Sequence, residues 1–247
     1  MNAIQKKIIN KFYSLFNIGR LGRLIKKNNL YVLMYHSITN KEEDYPYSIS
    51  VSNFINHIKY IHKRFKVIDL NETLFYLQNN KDIKEPCFAI TFDDGYRNNF
   101  THAYPILKKF DMPFSIFVAT NFINTKRETF MNWDEVIELS NDPLVTIGSH
   151  SVNHPNLLSL EKEDIKYEIE ASKKIIESKI NKEVKYFAYP SGGHNDEVIK
   201  VAKKFYEGAF KDNNYNGNPI NHHAISRIDI SKRNEDLKSF IITLINS

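Results

Sequence analysis

Apolar and polar positions along this chain follow two periods that take turns. Dense apolar runs, rich in β-branched and aromatic residues, read as strands. They cover residues 30–38, Lys66–Leu70, the run from Cys87 to Asp93-Asp94-Gly95, Phe114–Ala119, Leu144–Ile147, Tyr186–Tyr189, Gly208–Phe210 and Ile225–Ile230. Between them apolar residues recur at helical spacing. Phe54, Ile58 and Ile61 mark one helix with Ser52 as its cap, and others span Glu72–Asn79, Asn98–Phe110, Trp133–Leu139, Glu161–Lys179, Asp196–Phe205 and Glu235–Ile245. Pro105 marks a late start or a kink in the third of these. Strands that alternate with helices throughout predict parallel βα units. Six or more units without a linker predict a single α/β domain over residues 30–247, with residues 1–29 as an appendage, and favour a barrel over an open sheet without deciding between them.

That appendage has its own pattern. Ile4, Ile8, Phe12, Leu15 and Phe16 fall on one helical face, with lysines between them, and Gly19 and Gly22 are read as its end. Residues 1–30 hold seven Lys and Arg and no acid, so taking those seven from 34 leaves 27 basic residues against 29 acidic ones. The net charge of +5 therefore belongs to the appendage, and the domain lacks the basic surface that nucleic acid requires. Two readings of the helix stand side by side: it lies on an anionic membrane, or it packs its apolar face on the domain. The segment is too interrupted for a signal peptide and too short and polar for a transmembrane helix. The expectation is a cytoplasmic protein, with peripheral contact at the inner membrane face. One cysteine, Cys87, rules out an internal disulfide and reads as a small apolar filler.

Polar residues collect at one kind of place, the C-terminal ends of the expected strands: His36, Asp93-Asp94, His150 with His154, and Tyr189-Pro190-Ser191-Gly192-Gly193. In a parallel barrel those ends open on one face. His150 and His154, four residues apart, suit coordination of one metal, and a strand-end carboxylate completes a set with positions left for water. A second adjacent carboxylate then has a task as base toward a metal-bound water. Spacing does not say which Asp is which.

Thr91-Phe92-Asp93-Asp94-Gly95 followed by His150-Ser151-Val152-Asn153-His154 resembles the polysaccharide deacetylases of NodB-homology type, carbohydrate esterase family 4, over about residues 30–230. The resemblance implies a distorted (β/α)7 barrel that removes N-acetyl or O-acetyl groups from sugars. It implies Asp93 as general base and Asp94, His150 and His154 as metal ligands, with zinc expected and cobalt, nickel, iron or manganese compatible.

Two of the family's motifs are altered. The third usually supplies an Arg that holds the base, and Ala188 stands in its place within Phe187-Ala188-Tyr189-Pro190, a form that looks like the poly-N-acetylglucosamine deacetylases. Arg227 is the candidate substitute. The fifth motif, Leu-x-His near the C-terminus, is absent, and Met34-Tyr35-His36 looks like its permuted counterpart, implying His36 as general acid. Trp133 resembles an aromatic of the acetyl pocket, with a core position as the other reading. Ser191 or Tyr96 backbone N–H groups are candidates for an oxyanion hole, with Tyr189 and Pro190 beside the substrate. The rival readings are a two-histidine, one-carboxylate iron oxygenase and an inactive barrel that binds glycan or membrane.

Overall fold

The computed structural model describes residues 18–25, 30–40, 45–79, 83–125, 128–212 and 221–247. Its strands are β1 (Leu30–Tyr35), β2 (Ser37–Ile38), β3 (Ser48–Ile49), β4 (Lys66–Val67), β5 (Cys87–Phe92), β6 (Phe114–Val118), β7 (Val145–Ser149), β8 (Tyr186–Ala188), β9 (Gly208–Asp212) and β10 (Ile225–Asp229). Its helices are α1 (Ile18–Leu21), α2 (Val51–His62), α3 (Leu70–Gln78), α4 (Tyr104–Lys109), α5 (Thr120–Asn124), α6 (Trp133–Ser140), α7 (Lys162–Ile180), α8 (Asp196–Ala202) and α9 (Leu237–Ile245).

Seven parallel strands close into a barrel in the order β1, β10, β9, β8, β7, β6, β5, with β5 pairing back onto β1 from Leu30↔Cys87 to Tyr35↔Phe92. This is the distorted (β/α)7 barrel expected from the sequence. The distortion has a visible cause. β6 joins β5 only at Thr91 and Phe92, and β4 fills the same edge lower down, at Cys87 and Phe88.

Strand parity sorts the side chains into two layers. Leu30, Val32, Cys87, Ala89, Phe117, Tyr186, Ala188, Phe210 and Ile225 form one buried cluster, the barrel interior. The alternate positions, among them Leu33, Tyr35, Ile90, Phe92, Ile116 and Phe187, pack with the helices in the larger cluster. Both faces of the strands are thus buried, which is why their sequences read as continuous apolar runs.

Local chemistry moved several boundaries. Ser50, not Ser52, caps α2, its side chain accepting the Asn53 N–H at 3.2 Å. The expected Asn98–Phe110 helix divides into a π turn, Asn99–Ala103, and α4, which Pro105 opens because the first turn needs no proline N–H. The strand expected over residues 30–38 breaks at His36, and its end, β2, pairs in parallel with β3 beyond Pro46. Gly19 and Gly22 do not end helical structure, since α1 contains the first and a 3-10 turn, Gly22–Leu24, begins at the second. A Cβ at Gly22 would come 2.3 Å from the Tyr60 hydroxyl, so this glycine permits close approach. Leu21 and Ile25 are buried, and the turn lies against α9. Ile4, Ile8, Phe12, Leu15 and Phe16 lie outside the described residues. Among the described residues no helix is long and apolar enough to cross a membrane.

Gly148 sits in β7 where a Cβ would meet Phe117 Cδ1 at 2.4 Å and the Tyr186 carbonyl at 3.2 Å. Gly148→Ala is expected to cost about 1–3 kcal/mol of stability by overpacking, read as a lower urea midpoint; an unchanged midpoint would show that the interior has slack.

Candidate active site

The inward parity that builds the core places charge at its top. Arg227 of β10 is fully buried, with its guanidinium carbon 5.4 Å from the Phe117 ring centroid. Its Nη1 and Nη2 donate to the two oxygens of Asp93, each at 2.6 Å, a bidentate pair. Nη2 also donates to Asp212 Oδ1 at 2.9 Å, and Nη1 to Thr91 Oγ1 at 3.3 Å. Asp212 is the direct neighbour of Arg227 across the β9–β10 pair. Burial works to raise the Asp93 carboxyl, but the Arg227 guanidinium, with His150 adding less, holds it well below the usual carboxylate range. Asp212 moves up instead, because burial outweighs its share of Arg227.

Asp94 turns the other way. Its φ of +70°, followed by +77° at Gly95, swings the two adjacent carboxylates to different neighbours. A Cβ on Gly95 would lie 2.9 Å from Ile123 Cδ1, so only glycine fits the second position without a shift. Asp94 Oδ1 is buried without a hydrogen bond, 3.3 Å from His154 Nε2 and 3.6 Å from His150 Nε2. Burial, then the Asp93 and Asp212 charges, push its carboxyl up to about 8. His150 Nδ1 donates to the Ala188 carbonyl at 2.8 Å, which fixes the tautomer and leaves Nε2 as a lone-pair donor. Burial lowers this imidazole to about 3, so it is neutral at ordinary pH.

Among the described residues, Asp94, His150 and His154 form the group whose ligand atoms lie within 4.8 Å of one another. An orphaned carboxylate oxygen beside two imidazole lone pairs fits a divalent cation, and the mixed oxygen–nitrogen set suits zinc or a first-row neighbour.

The loop that carries these histidines is held from outside the motif. Glu168, buried on α7, accepts the Val152 and Asn153 N–H groups on Oε2, both at 2.9 Å, and the Asn153 side chain on Oε1 at 2.6 Å. Left-handed φ values of +68° at Ser151, +58° at His154 and +52° at Ser191 show the backbone strained at the same place. His36 follows β1, nearly buried. The Asn99 side chain donates to its carbonyl at 2.7 Å, and Asn98 holds Ser37 and Ile38, so the asparagines after Asp-Asp-Gly-Tyr-Arg fix the β1 end. Burial lowers the His36 imidazole to about 4, the Asp93 charge opposing.

A cavity of about 500 Å³ opens above, lined by Met34, His36, Tyr45, Tyr47, Asp94, His150, His154, Ser191, Asp212, Asp229 and Arg233. Asp93 is buried beneath this lining, Oδ2 3.8 Å from His150 Nε2. Of the expected substrate residues, Ser191 reaches the cavity lining. Tyr189 is buried below, its hydroxyl donating to the His223 carbonyl at 2.8 Å and its ring stacked on His194, and Pro190 is buried beside it. Tyr96 belongs to the rim, between Tyr45 and Phe130. Trp133 does not join the site: it packs on α6 with Lys179 Nζ 5.9 Å from its ring, part of the outer layer. His223 bonds the Tyr206 carbonyl through Nε2 at 2.8 Å, away from the cavity lining. Asp212, Asp229, Arg233, Tyr45, Tyr47 and Glu168 escaped the sequence reading; only strand parity from Arg227 pointed to Asp229.

Comparison with known proteins now decides the lineage. A family model described as "Polysaccharide deacetylase" matches residues 80–207, just over half of the chain. The chain belongs to the polysaccharide deacetylase family. The Bacillus subtilis protein YxkH is 31% identical over 180 residues, which cover 72% of this chain and 62% of that protein. The poly-β-1,6-N-acetyl-D-glucosamine N-deacetylase of Staphylococcus aureus is 31% identical over 196 residues, 74% of this chain and 66% of that enzyme. This deacetylase-family chain thus matches less than two thirds of either relative's length. The fold is shared with the Streptococcus pyogenes deacetylase PplD in complex with acetate (TM-score 0.78, 22% identity, 89% of this chain and 99% of that chain). It is also shared with IcaB from Ammonifex degensii (TM-score 0.78, 21% identity, 88% and 98%).

A carboxyl that ligates a cation must be ionised, and Asp94, pushed up to about 8, is mostly protonated at pH 7. Zinc binding at pH 7 is therefore expected to release about one proton, falling toward none above pH 9, measured as calorimetric heats in buffers of different ionisation enthalpy. Release that does not depend on pH would place the proton elsewhere.

Proposed function

We propose that this chain is a metal-dependent hydrolase that removes acetyl groups from N-acetylated glycans and releases acetate. One observation carries the reading: Asp93, held ionised by Arg227, lies directly beside the Asp94–His150–His154 set, 3.8 Å from His150 Nε2. The S. aureus relative, named for N-deacetylation of poly-β-1,6-N-acetyl-D-glucosamine, indicates the substrate class. An iron oxygenase would leave Asp93 and Arg227 without a task.

Asp94, His150 and His154 hold the cation, which when bound acidifies water and polarises an acetyl carbonyl oxygen. Asp93 is the proton acceptor. Both of its oxygens accept from Arg227, so its orientation is fixed, and the same contact makes it a weak base that needs an acidified water. The water oxygen bonds to the carbonyl carbon, the carbon–nitrogen bond breaks, and the nitrogen takes a proton from His36. Because His36 is neutral in the resting site, the proton it delivers to the nitrogen must be the one that Asp93 takes from the water, passed on during turnover, which the nearby Asp93 charge favours. The Ser191 turn supplies backbone at the cavity edge for the developing oxyanion.

Acetate release from N-acetylglucosamine oligomers by the zinc-loaded protein, abolished by chelator, tests the reading. Asp93→Asn is expected to lower kcat by about 10²–10⁴-fold with cation content unchanged; loss of the cation in this variant would exchange the roles of Asp93 and Asp94.

The basic residues of 1–29 suit peripheral contact with anionic lipid, which would bring the domain to the inner membrane face and to lipid-linked or envelope glycan precursors. Removal of residues 1–17 is expected to abolish co-sedimentation with anionic vesicles and to leave the domain folded; equal sedimentation of both forms overturns the membrane reading.

A further inference from the structure

The cavity mouth carries two unlike groups. Aromatic rings continue without a break from Tyr96 to Tyr45 (centroids 5.7 Å apart), Tyr45 to Tyr47 (5.6 Å) and Tyr47 to His36 (4.9 Å). Next to them Asp229 and Arg233 line the cavity, joined as an ion pair, with a buried Asp229 Oδ1 that has no hydrogen-bond partner. Core packing accounts for Tyr45, which is partly buried. It does not account for Tyr47, which lines the cavity yet leaves 38% of its surface exposed.

The tyrosines are also held in place. The Tyr45 carbonyl accepts the Ser48 N–H at 3.0 Å and the Ser48 hydroxyl at 2.7 Å. The Pro46 carbonyl accepts the Lys232 N–H at 2.9 Å, and the β2–β3 ribbon closes the base of the loop. Exposed rings on a backbone held in this way bind with a reduced ordering cost. A pyranose matches this mouth, because it presents C–H groups on its faces and hydroxyls around its edge. Its faces stack on aromatic rings and its hydroxyls meet carboxylate and guanidinium.

We propose that Tyr45 and Tyr47 form a stacking subsite for the sugar next to the one that loses its acetyl group, with Asp229 and Arg233 taking that sugar's hydroxyls. The site then acts on sugars within a chain, and Tyr47 sets the preference for oligomer over monosaccharide. This rests on the deacetylase reading for its chemistry, but the subsite can be measured without turnover.

The first measurement is kcat/KM for acetate release from N-acetylglucosamine and from its β-1,6-linked tetramer, with zinc-loaded protein. Wild type is expected to prefer the tetramer by about tenfold or more, the scale of one stacking contact. Tyr47→Ala is expected to bring that ratio near unity through KM, and Tyr47→Phe to retain it, since stacking needs the ring and not the hydroxyl. The second is calorimetric binding of the tetramer to the Asp93→Asn variant, with and without Tyr47→Ala; about a tenfold weakening is expected. A wild-type protein that treats both substrates alike, or a Tyr47→Ala change that leaves tetramer binding intact, overturns the subsite and leaves the deacetylase reading standing. No acetate from either substrate, with ring-dependent tetramer binding retained, overturns the deacetylase reading and leaves a glycan-binding mouth.

Discussion

A fully buried guanidinium between two carboxylates is the constraint on which the site depends. Arg227 neutralises Asp93 and shares Asp212 within the barrel. Burying such a charge costs several kcal/mol unless its partners are geometrically exact and its hydrogen bonds satisfied. Here the bidentate contact with Asp93 and the ring of Phe117 meet most of that demand. The consequence reaches outward: with Asp93 committed to Arg227 below, its neighbour Asp94 has no cation of its own. Its rise to about 8 expresses the same electrostatics that make it a metal ligand.

The barrel makes this possible through parity. Each strand contributes side chains to both layers, and the inward column carries its charged residues at its C-terminal end. In β10 that column runs Ile225, Arg227, Asp229, and in β9 Gly208, Phe210, Asp212. A one-residue slip of β10 would put Arg227 among the outer helices and leave Asp93 buried without a counter-charge. Left-handed backbone at Asp94, Ser151, His154 and Ser191 then aims the loop residues into the same space. The strain is held by contacts outside the motifs, among them Glu168 on the loop after β7 and Asn98 and Asn99 on the end of β1.

Much of this was legible in the sequence, for identifiable reasons. Strand and helix order follows from apolar period, which reflects burial, and burial dominates folding. Asp93, Asp94, His150 and His154 were readable because motif residues close in sequence sit at strand ends, where the fold itself brings them together. Arg227 was singled out because the family's usual Arg was missing and a base of this kind needs a charge to hold it.

What only tertiary structure decided has one physical origin: contacts between residues far apart in the chain leave no local period. Asp212 meets Arg227 through strand pairing, and Glu168 reaches the His150–His154 loop from a helix whose charged residues read as solvent-facing. Trp133 reads like a pocket aromatic, and packing sends it to the outer layer. Tyr45 and Tyr47 read as loop, yet the β2–β3 ribbon lifts them to the cavity mouth. The sequence by itself determined the layers and the reacting groups. The fold decided what holds those groups and what meets the substrate around them, because non-local geometry sets both.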